Sequence, residues 1–320
     1  MSMEVVRKCF PSLGTVNKVE LAGEPGAGVA ELAEMVRMRV VGLHNMWSAF
    51  EEGSEVSLIG RRAGIAPARV SDETISILAL SRECWTLTGG SFDVTAGPLC
   101  RVWRVAMRSG KEPSEKSVAR ARGLCGMQRL ELDPGSSTAF LERGGMGLDL
   151  GGIAKGWALD CARELVSEGG ARSGLMNFGG TVATVGREAR VGIQNPFRPT
   201  GSYLASFAVR DECVVTSGVN ERFALVGGRR CHHIIDPRTG RPAQSGVVQV
   251  TVVGQSAAIA DAIATAALVL GEERALPVLQ ARGLEAVFVS SDGAVRATPG
   301  IAGRLSMCGG TVRAEEGMVA

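Results

Sequence analysis

The amino-acid sequence is poor in aromatic residues, in histidine and in long apolar runs. Aromatic residues make up 4% of the 320 residues, with a single tyrosine, and there are three histidines. The longest apolar run, Ile259 to Leu270, is too short to cross a bilayer and contains Asp261. The first ten residues carry charge without a long apolar segment, so no signal peptide is recognised. We expect a protein without a membrane span that is located in the cytoplasm, or in the periplasm or at a membrane if a leader has been removed.

The sequence also lacks paired cysteines and a strong excess of either charge. Its eight cysteines include no Cys-x-x-Cys pair, which argues against metal-ligand spacing, and so long a chain is not expected to depend on disulfides. We interpret the cysteines mostly as small buried apolar side chains in a reducing compartment. Because the net charge is only +2, neither nucleic acid nor a membrane surface is an expected partner.

Glycine, by contrast, is abundant, and the order of the predicted elements indicates the fold class. The 43 glycines fall in clusters, which is typical of special turns and of close backbone approach. Predicted strands cluster along the chain instead of alternating strictly with helices, which favours an α+β fold over a doubly wound sheet. Without a linker-like segment or an internal repeat, we expect one domain over residues 1–320, with a core at about 13–297 and a frayed tail at about 310–320.

Apolar periodicity, caps and turn residues predict the individual elements. Helices are predicted at Val29–Trp47, Glu73–Leu87, Ile153–Ser167, Ala257–Leu270 and Glu273–Ala281. Strands are predicted at Gly14–Leu21, Gln128–Leu132, Thr138–Leu141, Gly174–Phe178, Arg190–Ile193, Leu204–Val209, Val214–Thr216, Val247–Val253, Ala286–Val289 and Ala294–Ala297. The basic stretch Arg101–Leu124 is interpreted as a loop followed by a solvated helix.

The chain is organised around the stretch Cys231-His232-His233-Ile234-Ile235-Asp236-Pro237-Arg238-Thr239-Gly240. A histidine beside a carboxylate gives a titratable pair near neutral pH. The Asp-Pro-x-Thr-Gly segment predicts a turn that holds His233 and Asp236 at the mouth of a loop. The alternative is a core or turn histidine that bonds to Asp236.

Two glycine-rich stretches have the composition of loops that lie against a ligand. The segment from Gly89 to Leu99 combines glycines, hydroxyls and a proline with Asp93, whose carboxylate could accept a bond from a ribose or a ring N–H. An ordinary capped turn is an equal alternative there. Asn177-Phe178-Gly179-Gly180 follows a predicted strand, and a plain hairpin turn is the default interpretation.

A third stretch, Asp149-Leu150-Gly151-Gly152-Ile153-Ala154-Lys155-Gly156, indicates a phosphate site. Free N–H groups at a helix start, together with a lysine in the first turn, attract anions. The order of residues is neither a Walker A loop nor a GxGxxG fingerprint. The alternative is an aspartate near the helix start with Lys155 in solvent.

Asp261 and Thr265 are four residues apart in a run of small apolar residues, so they share one face of a helix. An unpaired carboxylate in such surroundings is costly to bury, and a hard cation such as Mg²⁺ would offset the cost. In the alternative, Asp261 faces solvent or caps the helix, and Thr265 bonds back into its own helix.

In their order and spacing these stretches resemble the ApbE family, the FAD:protein FMN transferases. The resemblance runs from about Leu13 to Gly271. Its specific parts are Thr88–Leu99, Leu148–Gly156, Asn177–Gly180, Thr216–Arg222, His233–Gly240 and Ala260–Thr265. The segment Ser217-Gly218-Val219-Asn220-Glu221-Arg222 departs from the family, because it lacks the aromatic residue that often precedes the Glu-Arg pair.

The resemblance implies an α+β domain whose mostly antiparallel sheet is flanked by helices. It also implies cleavage of Mg²⁺-bound FAD at its pyrophosphate, transfer of FMN to a threonine hydroxyl of a target protein, and release of AMP. The partners are then FAD and a protein that carries the acceptor threonine. Hydrolysis of FAD to FMN and AMP, or flavin binding without catalysis, are the alternatives.

The resemblance further implies roles for individual residues of this chain. Asp261, Thr265 and the backbone carbonyl of Gly152 would ligate Mg²⁺, with Asp261 essential for catalysis, and His233 would lie at the reacting phosphate. The residues expected to contact FAD are Leu13 (in place of a common methionine), Phe50 (stacked on a ring of the nucleotide), Ser91, Phe92, Asp93, Asp149, Lys155 and His233.

Overall fold

The computed structural model of the chain describes residues 3–308. The helices are α1 Val29–Trp47, α2 Glu55–Arg62, α3 Asp72–Leu87, α4 Gly97–Ser109, α5 Glu115–Arg122, α6 Ala154–Glu168, α7 Ala257–Leu270, α8 Glu272–Gln280 and α9 Pro299–Ala302. The strands are β1 Glu4–Ser12, β2 Thr15–Gly23, β3 Ala68–Arg69, β4 Leu130–Asp133, β5 Thr138–Leu141, β6 Ser173–Phe178, β7 Thr181–Val185, β8 Glu188–Gln194, β9 Tyr203–Arg210, β10 Cys213–Gly218, β11 Phe223–Val226, β12 Arg229–His232, β13 Ile235–Asp236, β14 Arg241–Pro242, β15 Val247–Gly254, β16 Glu285–Ser290, β17 Val295–Ala297 and β18 Ser306–Met307.

One large sheet forms the centre of the fold. Its strand order is β1-β2-β6-β7-β10-β15-β16-β17, and each neighbouring pair runs antiparallel. Smaller sheets consist of β18-β9-β8, β3-β5-β4, β11-β12 and β13-β14. The predicted α+β class, with a mostly antiparallel sheet flanked by helices, is confirmed.

The two faces of the large sheet are covered by different layers. Successive residues of a strand point to opposite faces, and on β10 Cys213 and Val215 belong to the core beneath the helices, whereas Val214 belongs to a second core. The helical layer is formed by α1, α6 and α7, which pack on one another and on the strands. The second core is shared with β8 and β9 and includes the fully buried Phe207.

The helix α7 is buried on nearly all sides, as expected for a helix that is apolar all round. Its bounds match the prediction, and the Ser256 side chain accepts the N–H of Ile259 as its N-terminal cap. Because half of its residues are alanine, neighbouring backbones can approach closely. The bounds of α1 also match the prediction, since its apolar residues recur at three- and four-residue steps.

Several elements differ from the predictions. The stretch predicted as a loop from Arg101 is already helical, because α4 begins at Gly97 with Pro98 in its first turn. Leu99, Trp103 and Ala106 line its buried face, a spacing that could have revealed it. The sequence interpretation also missed β1, α2 and the hairpin formed by β11 and β12, all of which mix polar and apolar residues.

Two further predictions concern burial and the chain ends. Only Cys84 and Cys213 of the eight cysteines are buried, whereas Cys9 and Cys308 are exposed, so the expectation that most are buried is wrong. Among residues 3–308, no helix is long and apolar enough to cross a membrane. The predicted frayed tail at 310–320 lies outside the described residues.

Candidate active site

The candidate active site is built where the first turn of α6 meets α7. The backbone N–H of Gly156 donates to Asp261 Oδ2 over 3.0 Å, and Lys155 Nζ lies 3.6 Å from Asp261 Oδ1. Asp261 is 1% exposed, so these two partners offset the cost of burying its charge. Asp261 therefore neither faces solvent nor caps its own helix, and Lys155 is not left in solvent.

The amide groups at the start of α6 are largely occupied. The N–H groups of Ile153 and Ala154 donate to Leu150 O, and that of Gly156 donates to Asp261. The prediction of free N–H groups at this helix start is therefore wrong for these three residues. A phosphate at this point would depend on the Lys155 ammonium and on the helix dipole.

Thr265 lies one turn beyond Asp261 and faces two other parts of the chain. Its Oγ1 is 3.5 Å from Ser217 Oγ at the end of β10. A Cβ added to Gly152 would lie 3.1 Å from Thr265 Oγ1 and 3.3 Å from the ring of Phe92. In the described part of the chain the Thr265 hydroxyl makes no bond back into its own helix, so it remains available on the side of Gly152.

His233 is held at the edge of this cluster by the preceding loop. Its Nδ1 lies 3.2 Å from Arg222 O, and a carbonyl can only accept, so Nδ1 carries the proton in this bond and Nε2 is left with its lone pair. Burial lowers the pKa of His233 to about 4, and the positive charges of Arg222, His232 and Lys155 act in the same direction.

The predicted partnership between His233 and Asp236 is wrong. Asp236 is buried, and its carboxylate accepts bonds from Arg238, with Nε at 2.9 Å and Nη2 at 3.0 Å. The turn that follows His233 is fixed instead by Trp103, whose Nε1 donates to Gly240 O over 2.7 Å.

Glu221 is a residue that the sequence reasoning did not assign to the site. Although it is accessible to solvent, the protein atoms around its carboxyl raise its pKa, while the charge of Lys155 lowers it and that of Asp261 raises it further. The Glu-Arg pair in the segment 216–222 is the sequence feature from which Glu221 could have been assigned to the site.

Phe50 and Asp149 are joined by another unassigned residue, Arg104 of α4. Its guanidinium lies 4.4 Å from the centroid of the Phe50 ring, and its Nη2 lies 3.3 Å from Asp149 Oδ2. Phe50 is 66% exposed and borders a cavity of about 770 Å³ that is also lined by Leu148. Asp149 Oδ1 accepts the N–H of Gly151, which connects this group to the start of α6.

Within the segment from Ser91 to Asp93, the three side chains have different surroundings. Asp93 caps a short 3₁₀ turn, since its Oδ1 accepts from Thr95 N over 2.7 Å and from Thr95 Oγ1 over 2.6 Å. Of the two alternatives for this segment, a ligand-binding loop and an ordinary capped turn, Asp93 therefore forms the capped turn. Burial raises the pKa of Asp93. Phe92 is buried beside Gly152, whereas the buried hydroxyl of Ser91 has no partner within residues 3–308.

Two tight hairpin turns border the site at the end of the large sheet. Leu13 and Gly14 connect β1 to β2, with Leu13 in the left-handed region at φ 54°, and Gly14 O accepts from Arg222 Nη2 over 3.1 Å. Leu13 is thereby linked to the residue that holds His233. The segment at Gly179 and Gly180 is the plain hairpin turn between β6 and β7.

The arrangement brings together Gly152, Lys155, Asp261, Thr265 and Phe92, with His233 beside them, and a family comparison decides its class. The family model described as "ApbE family" matches residues 13–288. The chain belongs to the ApbE family. It is a transferase of that family.

Individual relatives agree with the family match over most of the chain. A FAD:protein FMN transferase of Treponema pallidum is 31% identical over 313 residues, which cover 92% of this chain and 86% of the relative. One of the same description from Klebsiella pneumoniae is 31% identical over 240 residues, 75% of this chain and 76% of the relative. The crystal structure of the ApbE protein of Thermotoga maritima superposes with a TM-score of 0.86 at 27% identity and covers 94% of this chain and 99% of that one.

Proposed function

We propose that this chain transfers FMN from FAD to a threonine hydroxyl of a target protein, with Mg²⁺ as the metal and AMP as the leaving group. The relatives named as FAD:protein FMN transferases support the flavin chemistry. The observation that carries the proposal is the meeting of Lys155, Asp261, Thr265 and Gly152 at the junction of α6 and α7, with the partly buried, neutral His233 beside it.

The residues at the junction fit a hard divalent cation. Asp261 offers a carboxylate oxygen, Thr265 a hydroxyl and Gly152 a backbone carbonyl, which are the donor types that Mg²⁺ prefers. Among the residues that the structure describes, no group of three or more His, Cys, Asp or Glu side chains could hold a metal ion, so the Thr265 hydroxyl and the Gly152 carbonyl would have to act as ligands beside Asp261. When bound, Mg²⁺ supplies charge neutralisation at the pyrophosphate, which is the main need of phosphoryl transfer.

The side chains of the chain itself orient the substrates and handle the proton. Lys155 lies where its ammonium can hold a phosphate oxygen near Asp261, and Phe50 offers an exposed ring face for stacking. Since the pKa of His233 is about 4, its ring is neutral at pH 7, and the Nε2 lone pair can accept the proton of the attacking hydroxyl.

The reaction then balances in one displacement. The threonine oxygen forms a bond to the phosphorus of the FMN moiety, and the bond from that phosphorus to the bridging oxygen of the pyrophosphate breaks. The threonine proton passes to His233 Nε2, and AMP leaves with the bridging oxygen. Stabilising charge on the leaving phosphate is the task of the Lys155 ammonium.

The test is mass spectrometry of an acceptor domain carrying a threonine that a relative flavinylates, incubated with the protein, FAD and Mg²⁺. We expect a mass increase of one FMN moiety, lost when EDTA is added or when the acceptor threonine is replaced by alanine. Asp261→Asn should lower the rate by about 10²- to 10³-fold, the range seen when one preorganised electrostatic contact is removed. Asparagine can still accept the Gly156 N–H, so the fold should persist.

The products separate transfer from its alternatives. AMP and free FMN without an adduct would replace the transferase proposal with FAD hydrolysis. Bound FAD that is neither transferred nor cleaved would leave a flavin-binding protein. A rate that EDTA does not affect would contradict the proposed role of the cation.

A further inference from the structure

The junction between α6 and α7 is held by a second carboxylate, that of Asp160. Asp160 lies one turn after Gly156 on α6. Its Oδ1 accepts the N–H of Ala257 over 2.8 Å, and its Oδ2 accepts the N–H of Ala258 and the hydroxyl of Ser256, each over 2.9 Å. One carboxylate on α6 therefore binds the first two amides of α7.

These bonds satisfy amides that a helix cannot satisfy for itself. The first N–H groups of any helix lack partners within the helix, and a carboxylate placed there also interacts favourably with the helix dipole. In α7 the Ser256 side chain accepts the N–H of Ile259, and Asp160 of the neighbouring helix accepts the two N–H groups before it. The start of α7 is thus fixed to α6 and not only to its own cap.

A second contact joins the same two helices one turn away. Gly156 and Asp160 are four residues apart on one face of α6, and the Gly156 N–H donates to Asp261 Oδ2. Asp261 in turn lies four residues after Ala257. The two helices are therefore bonded at two successive turns, which fixes both the sliding and the rotation of α7 relative to Lys155 and Gly152.

We infer that Asp160 is a positioning residue: it holds α7 so that Asp261 and Thr265 face Gly152 and Lys155 at the spacing that cation binding and turnover need. The inference rests on the proposed function, because it assigns a task to Asp160 only if Asp261 and Thr265 hold a cation. Asp160 itself touches neither the cation nor FAD in this assignment. Outer partners of metal ligands typically change metal affinity by 10- to 100-fold when they are removed.

The chain offers a matched control for this carboxylate. Asp133, in the turn between β4 and β5, also accepts two backbone N–H groups and one serine hydroxyl, those of Gly135 and Ser136. That turn lies at the surface in the sheet β3-β5-β4, and these bonds of Asp133 involve no residue of α6 or α7. Asp133→Asn therefore removes the same kind of bonds without touching the junction.

The experiment measures Mn²⁺ affinity by electron paramagnetic resonance in the full-length protein without FAD, together with kcat and KM for FAD. For Asp160→Asn we expect Mn²⁺ affinity to fall about 10- to 100-fold and kcat to fall by more than KM changes. For Asp133→Asn we expect the Mn²⁺ affinity, kcat and KM to stay within twofold of the wild-type values. The unfolding midpoints of both variants show how much of the loss of Mn²⁺ affinity and kcat comes from a lower stability of the fold.

An Asp160→Asn protein that is folded and binds Mn²⁺ like the wild type would overturn the inference. If that variant does not fold, Asp160→Glu decides: an intermediate loss of Mn²⁺ affinity supports positioning, and an unchanged affinity overturns it. A wild-type protein that fails to bind Mn²⁺ or to act on FAD would instead overturn the proposed function, so the two failures are distinguishable.

Discussion

At the scale of single residues, the surroundings of the two groups expected to be catalytic are opposite in kind. Asp261 is almost fully buried and compensated by a lysine and a backbone N–H, which suits a group that must stay charged. His233 is partly buried, and the charges beside it are positive, which suits a group that must stay neutral until a proton arrives. These environments agree with a metal ligand and a proton acceptor, respectively.

The lowered pKa of His233 leads to a prediction for the pH dependence of the reaction. The ring is neutral above about pH 4 and becomes protonated as the pH falls through that value, so its capacity to accept a proton is lost only there. We expect kcat/KM for FAD to hold through pH 6.5, the ordinary histidine pKa, and to fall on the acid side near pH 4. The measurement is a pH–rate profile, with circular dichroism to verify folding at each pH.

His233→Gln provides the comparison for that profile. It should reduce kcat by about 10²- to 10⁴-fold, the usual contribution of a general base, and remove the acid limb. An acid limb near pH 6.5 in the wild type would contradict the lowered pKa of His233, and the same limb in the variant would assign the titration to another group.

Residue-scale interpretation from sequence succeeded where spacing alone decides a contact. Asp261 and Thr265 share a helix face because they are four apart, and the structure agrees. It failed for Asp236, because sequence order does not show that Arg238, two residues later, would bind the carboxylate bidentately. Arg104 was missed for a similar reason: its contacts to Phe50 and Asp149 join segments that are far apart in the chain.

At the scale of elements, the decisive feature is how closely α6 and α7 approach. A Cβ on Gly156 would collide with the backbone of Ala257 and lie 2.7 Å from the Cα of Ala258. Backbone atoms cannot rotate out of the way, so Gly156→Ala should destabilise the fold by about 1–3 kcal/mol, as overpacking does. Chemical denaturation measures the change.

Gly42 of α1 is the control for Gly156. Its added Cβ would meet nothing within 4 Å, and the residue is exposed in the middle of a helix. Gly42→Ala should therefore stabilise the protein by about 0.5–1 kcal/mol through helix propensity. Equal stability changes at the two positions would contradict the close-approach argument.

Elements that have strong caps or a clear apolar pattern were predicted well, and these include the short strand β5, whereas elements that mix polar and apolar residues were missed. The bounds of α1 and α7 follow from periodicity and, for α7, from Ser256. In contrast, β1 alternates weakly because it is an edge strand with one exposed face, and β11 and β12 pair mainly with each other. Their conformation depends on partners that local sequence does not name.

At the scale of the whole molecule, the large sheet separates the site from the second core. Phe207 of β9 is fully buried against the large sheet, on the face opposite α6 and α7. Phe207→Ala should cost about 3–5 kcal/mol of unfolding free energy. The affinity of the folded fraction for FAD should not change, because no site residue packs against this core.

Phe50→Ala is the reciprocal variant, because its side chain is largely exposed. Stability should change by less than about 0.5 kcal/mol, while FAD affinity should fall about 10-fold or more, consistent with a lost stacking contact of about 1.5 kcal/mol. Denaturation curves and FAD titrations on both variants check the separation. If Phe207→Ala and Phe50→Ala each lowered both the stability and the affinity for FAD, the two faces of the sheet would not be independent.

The scarcity of aromatic residues has a spectroscopic consequence. Trp103 donates its indole N–H to the turn that follows His233, and Trp157 stands directly after Gly156, where α6 meets α7. With only four tryptophans and one tyrosine in the chain, the ultraviolet emission of the protein comes from few side chains, and two of the four indoles belong to segments that border the candidate active site. A flavin absorbs in the range where indoles emit. The protein therefore contains its own optical reporter of flavin binding at the candidate active site and needs no attached dye.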